Sequence, residues 1–182
     1  MAHPDQAAEL CGHTVARYAA SGTDVTLVCA ASRGQSGADL RPAMRRLGVR
    51  DLVLLDFTLA DLSAAVLEDL FADVMASLRP HVVVADGTQD AIRGAASSAF
   101  PRVRRTAGGS SALPAKLYFR YSSASPLVSV TTSIAVPPGA PSEHFVRVFP
   151  DPWVTGVLER DLFAGVTVDE PARQDLDQRL AG

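Results

Sequence analysis

The first residues of the chain bring together two side chains that can do chemistry. The imidazole of His3 and the carboxylate of Asp5 are two residues apart, with Pro4 between them to restrict the backbone. Imidazoles and carboxylates bind zinc, and they also act as general acids and bases. An apolar pattern of helical spacing follows them, so the sequence predicts a metal or acid/base site directly before a helix.

Strands and helices alternate through the first two thirds of the chain, which places this opening site within a layered fold. Continuous apolar runs predict buried strands at 25–30, 52–56 and 81–85. Helical spacing predicts helices at 7–21, 39–47 and 62–78, and a weaker one that ends at Phe100. Asp61 is the expected N-cap of the third helix, and Pro42 is expected in the first turn of the second. The alternation indicates an α/β fold with a mostly parallel, doubly wound sheet flanked by helices.

The last third of the chain has a different pattern. The residues from 102 to 114 are predicted to form a loop. Further strands are predicted at 116–121, 127–136 and 145–149, then an edge segment at 161–165 and a polar helix at 170–180. Ligands bind at the carboxyl ends of the strands in open α/β sheets. This rule directs attention to three loops, at 3–5, 32–37 and 86–90.

Length and composition indicate a single domain that spans residues 1–182. The net charge of -3 disfavours a nucleic-acid partner. No apolar run approaches the ~20 residues that cross a bilayer, and no signal peptide is visible, so we expect a cytoplasmic protein without a membrane partner. Cys11 and Cys29 are expected to be buried thiols. The arginines at 102, 104 and 105 are expected to be solvated, with an anion contact as the alternative.

Several segments resemble the PIG-L/LmbE-like N-deacetylases, over most of the chain as far as Gly165. The similar segments are 2–5, 11–12, 14–19, 24–30, 33–34, 47–49, 55–56, 78–80, 82–84, 143–148 and 161–165. This resemblance implies a Rossmann-like fold. It also implies a zinc-dependent hydrolase that removes N-acyl groups from amino sugars or small-thiol conjugates.

The resemblance assigns roles to the opening residues. The family begins with His-Pro-Asp-Asp, which makes His3 a zinc ligand and Asp5 the general base. The family's second aspartate, also a ligand, is Gln6 here, and the histidine that provides the third ligand is Ala91. A later family histidine has no counterpart between Val136 and Ser142. The family also has an apolar first strand ahead of the motif, so we expect either a start farther upstream or a rearranged sheet.

The leading hypothesis is therefore a deacetylase-fold protein with an incomplete zinc site and no expected cofactor. A catalytic zinc usually has three protein ligands and an open position for water, and His3 alone does not supply them. Such a protein would bind a small polar ligand, catalyse a metal-free step or bind another protein, and it could form a homo-oligomer that covers an exposed strand edge.

Two alternatives stay open. In the first, the protein is an active zinc-dependent N-deacetylase or amidase, a hydrolase of non-peptide carbon–nitrogen bonds. Its substitute ligands would come from His13, Asp86, Asp90 and His144. In the second, the chain is a truncated gene product without a selected activity.

Overall fold

The computed structural model describes residues 4–31, 37–57, 63–108, 113–121, 132–134, 143–150 and 161–166, with residues 4–10 described as backbone. The helices are α1 (Pro4–Ala20), α2 (Gly37–Arg46), α3 (Ala64–Leu78) and α4 (Asp90–Ala107). The strands are β1 (Thr26–Ala31), β2 (Asp51–Phe57), β3 (Val82–Asp86), β4 (Lys116–Tyr121), β5 (Thr132–Ile134) and β6 (Glu143–Phe149). None of the helices within these ranges has the length and apolar character needed to cross a membrane.

The strands form two sheets, where the sequence predicts one. β1 and β2 pair in parallel, with Leu27 opposite Leu52. The second sheet has the order β3-β4-β6-β5, in which β3 and β4 are parallel and β6 is antiparallel to both β4 and β5. The parallel pairs and the flanking helices confirm the α/β class. The antiparallel strands make the second sheet mixed. The prediction of parallel pairing therefore holds for β1 with β2 and for β3 with β4, but not for the pairs that β6 forms.

Helices cover both faces of the strand layer. Successive side chains of a strand point to opposite faces, and β3 shows this alternation. Val82 and Val84 pack against the cluster that contains Tyr18 of α1. Val83 and Ala85 pack against the other cluster, which contains Leu67 and Met75 of α3 and Ile92, Phe100 and Val103 of α4. The buried apolar strands thus hold α1 on one side and the α3–α4 pair on the other.

α4 is longer than the sequence predicts, because it continues through Pro101 to Ala107. Proline lacks an N–H, so it leaves the carbonyl four residues earlier without its helical donor. That residue is Ser97, which is exposed, so water can satisfy its carbonyl. Phe100 and Val103 are buried and continue the apolar face of the helix. The prediction of a loop from residue 102 onward is therefore wrong as far as Ala107.

Other predicted boundaries also need correction. The N-cap of α3 is Ser63, whose hydroxyl accepts the Val66 N–H at 3.3 Å, so the assignment to Asp61 is wrong. Pro42 lies inside α2, beyond its first turn. The segment at 161–165 is a series of turns, not an edge strand. Only Thr132–Ile134 of the strand predicted at 127–136 is described, and the helix predicted at 170–180 lies outside the described residues.

The turn at 161–166 is fastened to α1 and β4. The Tyr18 hydroxyl donates to Asp161 Oδ1 at 2.7 Å and accepts the Leu162 N–H at 2.8 Å. The Lys116 ammonium donates to the Ala164 carbonyl. Burial, and then the hydrogen bond to Asp161, raises the pKa of Tyr18 to about 12. Burial acts to raise the pKa of Asp161, but the Phe163 N–H and the Tyr18 hydroxyl outweigh it, and that pKa is lowered.

Glycine is required at two turns for different reasons, and this allows a matched test. Gly48 has φ +75°, and a Cβ there would lie 2.5 Å from the Ala19 Cβ; Gly22 has φ +88° and open space around it. We expect Gly22→Ala to cost about 1–2 kcal/mol of unfolding free energy from backbone strain alone. Gly48→Ala should cost about 1–3 kcal/mol more from overpacking. Urea unfolding measures both, and equal losses would contradict the contact with Ala19.

The Tyr18 contacts predict a pH dependence at the alkaline end. A pKa raised on folding gives stability that is fully present below the unfolded value of about 10 and is lost as the pH rises through about 12. We expect Tyr18→Phe to cost about 1–2 kcal/mol at pH 8. The difference between wild type and variant should then shrink between pH 10 and 12. Urea unfolding across this range is the measurement, and Tyr121→Phe is the control. A constant difference would contradict the assignment.

Candidate functional site

Only part of the opening motif lies within the described residues. His3 is outside the described residues. Asp5 and Gln6 lie within the first turns of α1, because the helix begins at Pro4 and not near Ala7 as the sequence predicts. Proline suits the first position of a helix, since its fixed φ matches and its missing N–H is not needed there. Asp5 is therefore part of a helix and not of a loop before it, and its role as a base stays a prediction.

The carboxyl ends of β3 and β4 carry a pair of buried charges. Asp86 is the last residue of β3, and Arg120 is its register partner on β4. Both side chains are buried. Asp86 Oδ1 accepts the Thr88 N–H at 2.9 Å and the Thr88 hydroxyl at 2.6 Å. This turn begins the segment from 86 to 90, one of the three loops expected to contain a site.

Gly87 follows β3 directly, and its backbone passes close to the ring of Tyr121. Its N–H donates to the Arg120 carbonyl at 2.8 Å. A Cβ at this position would lie 2.6 Å from the Tyr121 ring, so only glycine fits without a shift of that side chain. The close contact fixes the path of the backbone between Asp86 and Thr88.

The segment that the resemblance aligns with the third zinc ligand has no ligating geometry. Ala91 lies in the first turn of α4, and its methyl group packs against the core cluster shared with α3. Asp90 forms an ion pair with Arg93 at 2.5 Å, and its side chain is 87% exposed. Ala91 has no ligating atom in its side chain, and the role of Asp90 as a substitute ligand stays a prediction.

Glu143 caps a break in α1 from a distant strand. The backbone of Cys11 is not helical (φ −147°, ψ 24°), so a second helical segment starts after it. Glu143, at the start of β6, accepts the His13 N–H on Oε1 and the Thr14 N–H on Oε2, both at 2.9 Å. The first N–H groups of a helix have no partner within it, and a carboxylate satisfies them and complements the helix dipole.

The two candidate histidines lie on different elements, α1 and β6. His13 is exposed, and its contribution is the N–H given to Glu143. His144 is partly buried on β6, in register with Tyr121. Glu143 and Arg120 are the site residues that the sequence reasoning missed. For Arg120 the signal was available, because the charged residues at 116, 120 and 147 lie inside predicted strands and buried charges require partners. Glu143 lies before the strand predicted at 145–149, so no such signal marked it.

Burial is the largest influence on the pKa values of Cys11 and Arg120. Burial, and then the negative charge of Glu143, raises the pKa of Cys11 to about 12, so this residue is a thiol and not a nucleophilic thiolate at neutral pH. Burial lowers the pKa of Arg120, while the charges of Glu143, Cys11 and Asp86 act against that change. The negative charges of Glu143 and Asp86 thus favour the charged form of the Arg120 guanidinium, against the effect of its burial.

The described residues offer no ready metal centre: no group of three or more His, Cys, Asp or Glu side chains among them could hold an ion.

Two arginines of the segment predicted to be a loop make structural contacts. Arg102 pairs with Asp69 at 2.8 Å and with Glu68 at 3.3 Å, which ties α4 to α3. Arg104 donates to the Pro114 carbonyl at 2.5 Å and lies 4.7 Å from the centre of the Phe149 ring.

A shallow surface groove of about 300 Å³ lies at the other end of the molecule. Its lining includes Ala16 and Ala20 of α1, Arg45 of α2 and Gly48. The helices run opposite to the strands they connect, so the ends of α1 and α2 lie near the amino ends of β1 and β2. The groove is thus remote from Asp86 and Arg120, and we place the candidate site at the carboxyl ends of β3 and β4.

Comparison with known proteins gives a likeness in fold. No family model matches the chain, and no curated protein matches it. A solved structure of the conserved protein TT1542 from Thermus thermophilus superposes with a TM-score of 0.56 at 26% identity. The match covers 65% of this chain and 62% of that one. This likeness is compatible with a Rossmann-like α/β fold.

A second solved structure is a looser match. The N,N'-diacetylchitobiose deacetylase from Pyrococcus horikoshii has a TM-score of 0.42 at 21% identity, over 56% of this chain and 46% of the deacetylase. A likeness at this level supports no inference about activity. In both cases the chain spans less than two thirds of the protein it resembles.

The cap on α1 can be tested with graded substitutions. Glu143→Ala leaves the buried Thr14 N–H and the part-buried His13 N–H without an acceptor, and we expect a loss of about 2–4 kcal/mol in unfolding free energy. Glu143→Gln retains one acceptor oxygen and should lose about half as much. Urea unfolding measures both, with Glu68→Ala as a surface control expected to cost under about 1 kcal/mol. Equal effects at Glu143 and Glu68 would show that the cap contributes little.

Proposed function

We propose that this protein is a PIG-L/LmbE-like deacetylase-fold member that does not hydrolyse its ligand with zinc and instead binds a small polar ligand. The observation that carries the proposal is the position of Ala91. The resemblance puts a histidine ligand there, whereas this chain has a methyl group packed into the core between α3 and α4. Gln6, in the position of another ligand, has a neutral amide in place of a carboxylate.

The residues present do not fit a catalytic zinc. Such an ion usually has three protein ligands and an open position for water, whose pKa it lowers to about 7. His3 is the one residue that the resemblance leaves as a ligand. Asp5 can accept a proton, but a general base needs a nucleophile to activate. The proposed function therefore includes no hydrolytic step.

The split between the two sheets supports a binding site at their junction. Leu27 of β1 packs on the same cluster as Val82 and Val84 of β3, and Ala30 packs on the same cluster as Ala85. In the described part of the chain, β1 and β3 nevertheless belong to separate sheets. In doubly wound folds, ligand sites lie where the strand order reverses. Ligands bind at such junctions, next to Asp86 here.

The competing proposal is an active zinc-dependent N-deacetylase with substitute ligands. The buried carboxylate of Asp86 favours it, because this residue ends a strand near the expected site. The guanidinium of Arg120, its register partner, disfavours it, because a fixed positive charge raises the cost of binding a divalent cation nearby.

Metal content tests the proposal. We expect the purified protein to contain well under one zinc per chain after incubation with zinc and gel filtration, and His3→Ala to show the same content. Elemental mass spectrometry is the measurement. A stoichiometry near one that falls in His3→Ala would overturn the proposal in favour of the deacetylase.

A gain-of-binding variant provides the matched control. Gln6→Asp combined with Ala91→His restores both ligand types, and we expect it to retain more zinc than the wild type. Ala91→His alone measures the cost of placing an imidazole against the core. If the double variant retains no more zinc than the wild type, these two positions are not the ligand positions.

A further inference from the structure

The outer edge of β2 has no partner strand in the part of the chain that the structure describes. There, β2 is the last strand of a two-stranded sheet and pairs with β1 alone. Proteins commonly protect such an edge with a charge or a proline in the strand. The centre of β2, from Leu52 to Leu55, has neither. This edge is therefore open to pairing with another strand.

The side chains of β2 are also incompletely covered. The sequence predicts a buried strand at 52–56, but the side chains from Leu52 to Leu55 are all partly exposed. In β4, by contrast, every residue from Lys116 to Arg120 is buried. Burial of apolar surface is the main favourable contribution to association. Contacts beyond the edge of β2 would therefore stabilise this sheet.

α3 adds apolar surface on the same side of the molecule. Arg102 of α4 pairs with Asp69, so one flank of α3 is covered by α4. The flank away from α4 contains Val66, Leu70 and Val74, which are four residues apart and form one row along the helix. Val66 is 45% exposed, and the other two are partly exposed. Because α4 packs on β3 and β4, this row lies toward β1 and β2.

Two copies of one strand can pair only in certain registers. An edge strand points the N–H and C=O groups of alternate residues outward. When a two-fold axis relates two antiparallel strands, these outward residues must oppose one another, so one residue lies opposite its own copy at the axis. With Asp51 at the axis, two like charges would be directly opposite, which is unfavourable.

The register with Val53 at the axis brings favourable pairs together. The ladder between β1 and β2 is regular as far as Leu54, so the backbone at the axis is a regular edge. This register places Leu52 opposite Leu54 of the second copy. It also brings Arg50 near the end of β2 that contains Asp56. Apolar pairs and pairs of opposite charge both stabilise neighbouring strands, and the axis makes each pair occur twice.

We propose that this chain forms a homodimer in which the outer edges of β2 pair in antiparallel, about a two-fold axis at Val53. The two sheets of β1 and β2 then become one four-stranded sheet, and the exposed rows of the two α3 helices face each other. A stable interface buries about 800 Å² on each partner, so the α3 rows are needed in addition to the short strands. The dimer does not depend on the proposed function.

Sedimentation velocity over a range of micromolar concentrations tests the dimer. We expect the wild type to sediment with twice the mass of one chain. Arg50→Glu should raise the dissociation constant roughly tenfold, because it brings like charges together at both ends of the paired strands. Asp24→Ala is the matched control: it removes the exposed ion pair that Arg50 makes at 2.7 Å within its own chain, and it should leave the dimer unchanged.

A monomeric wild type at all concentrations, or equal effects of the two variants, would overturn the proposal.

A cysteine at the axis tests the register. In Val53→Cys the two thiols would belong to directly opposed residues, whose Cα atoms are about 4.5–5.5 Å apart, a separation that a disulfide can span. Leu55→Cys is the control on the same strand, because its residue lies opposite position 51 of the second copy. We expect mild oxidation to link Val53→Cys into covalent dimers on a non-reducing gel.

Leu55→Cys and the wild type, whose Cys11 and Cys29 are buried, should stay unlinked. Absence of the link in Val53→Cys, or equal linking in Leu55→Cys, would contradict the proposed pairing.

Discussion

The contact between Glu143 and the broken helix α1 is the constraint on which the rest of the site depends. One carboxylate from β6 accepts the N–H groups of His13 and Thr14, in the first turn of the helical segment that follows Cys11. These residues are about 130 positions apart in the chain, so the contact joins α1 to the distant strand β6. It fixes where α1 crosses the mixed sheet, and it therefore fixes which residues face Asp86 and Arg120.

A second set of hydrogen bonds holds α1 on the same face of the sheet, near the carboxyl end of the helix. Tyr18 bonds to Asp161 and Leu162, and Lys116 binds the Ala164 carbonyl. Between the two attachments the contacts are apolar, with Tyr118 and Phe145 beneath the helix. Directional bonds at both ends set the position of the helix, while apolar burial between them supplies most of the favourable free energy.

The fold class could be predicted because buried parallel strands leave an unmistakable apolar pattern, as at 82–86. The division into two sheets could not, since pairing depends on contacts distant in sequence. α4 shows another limit: Pro101 suggests an end, but tertiary packing of Phe100 and Val103 overrides the local preference. Similarly, the N-cap of α3 is Ser63 and not Asp61, because both residue types favour an N-cap and they lie only two positions apart.

The site was predicted only in its general position. The rule for open sheets directed attention to 86–90, and Asp86 lies there. Glu143 was missed because its role is to cap a helix more than a hundred residues away, which no local motif encodes. The roles of His3 and Asp5 stay predictions, since His3 and the Asp5 side chain lie outside what the structure describes.

The division of the strand layer has a mechanical consequence. Within the described residues no hydrogen-bonded ladder runs from β1 to β3, so cohesion between the two sheets there comes from side chains packed beneath α1 and the α3–α4 pair. Apolar packing resists separation but tolerates small sliding, whereas a ladder of hydrogen bonds fixes register. Among the described elements, we therefore expect the junction between the two sheets to yield more readily than either sheet, with β1, α2 and β2 moving together.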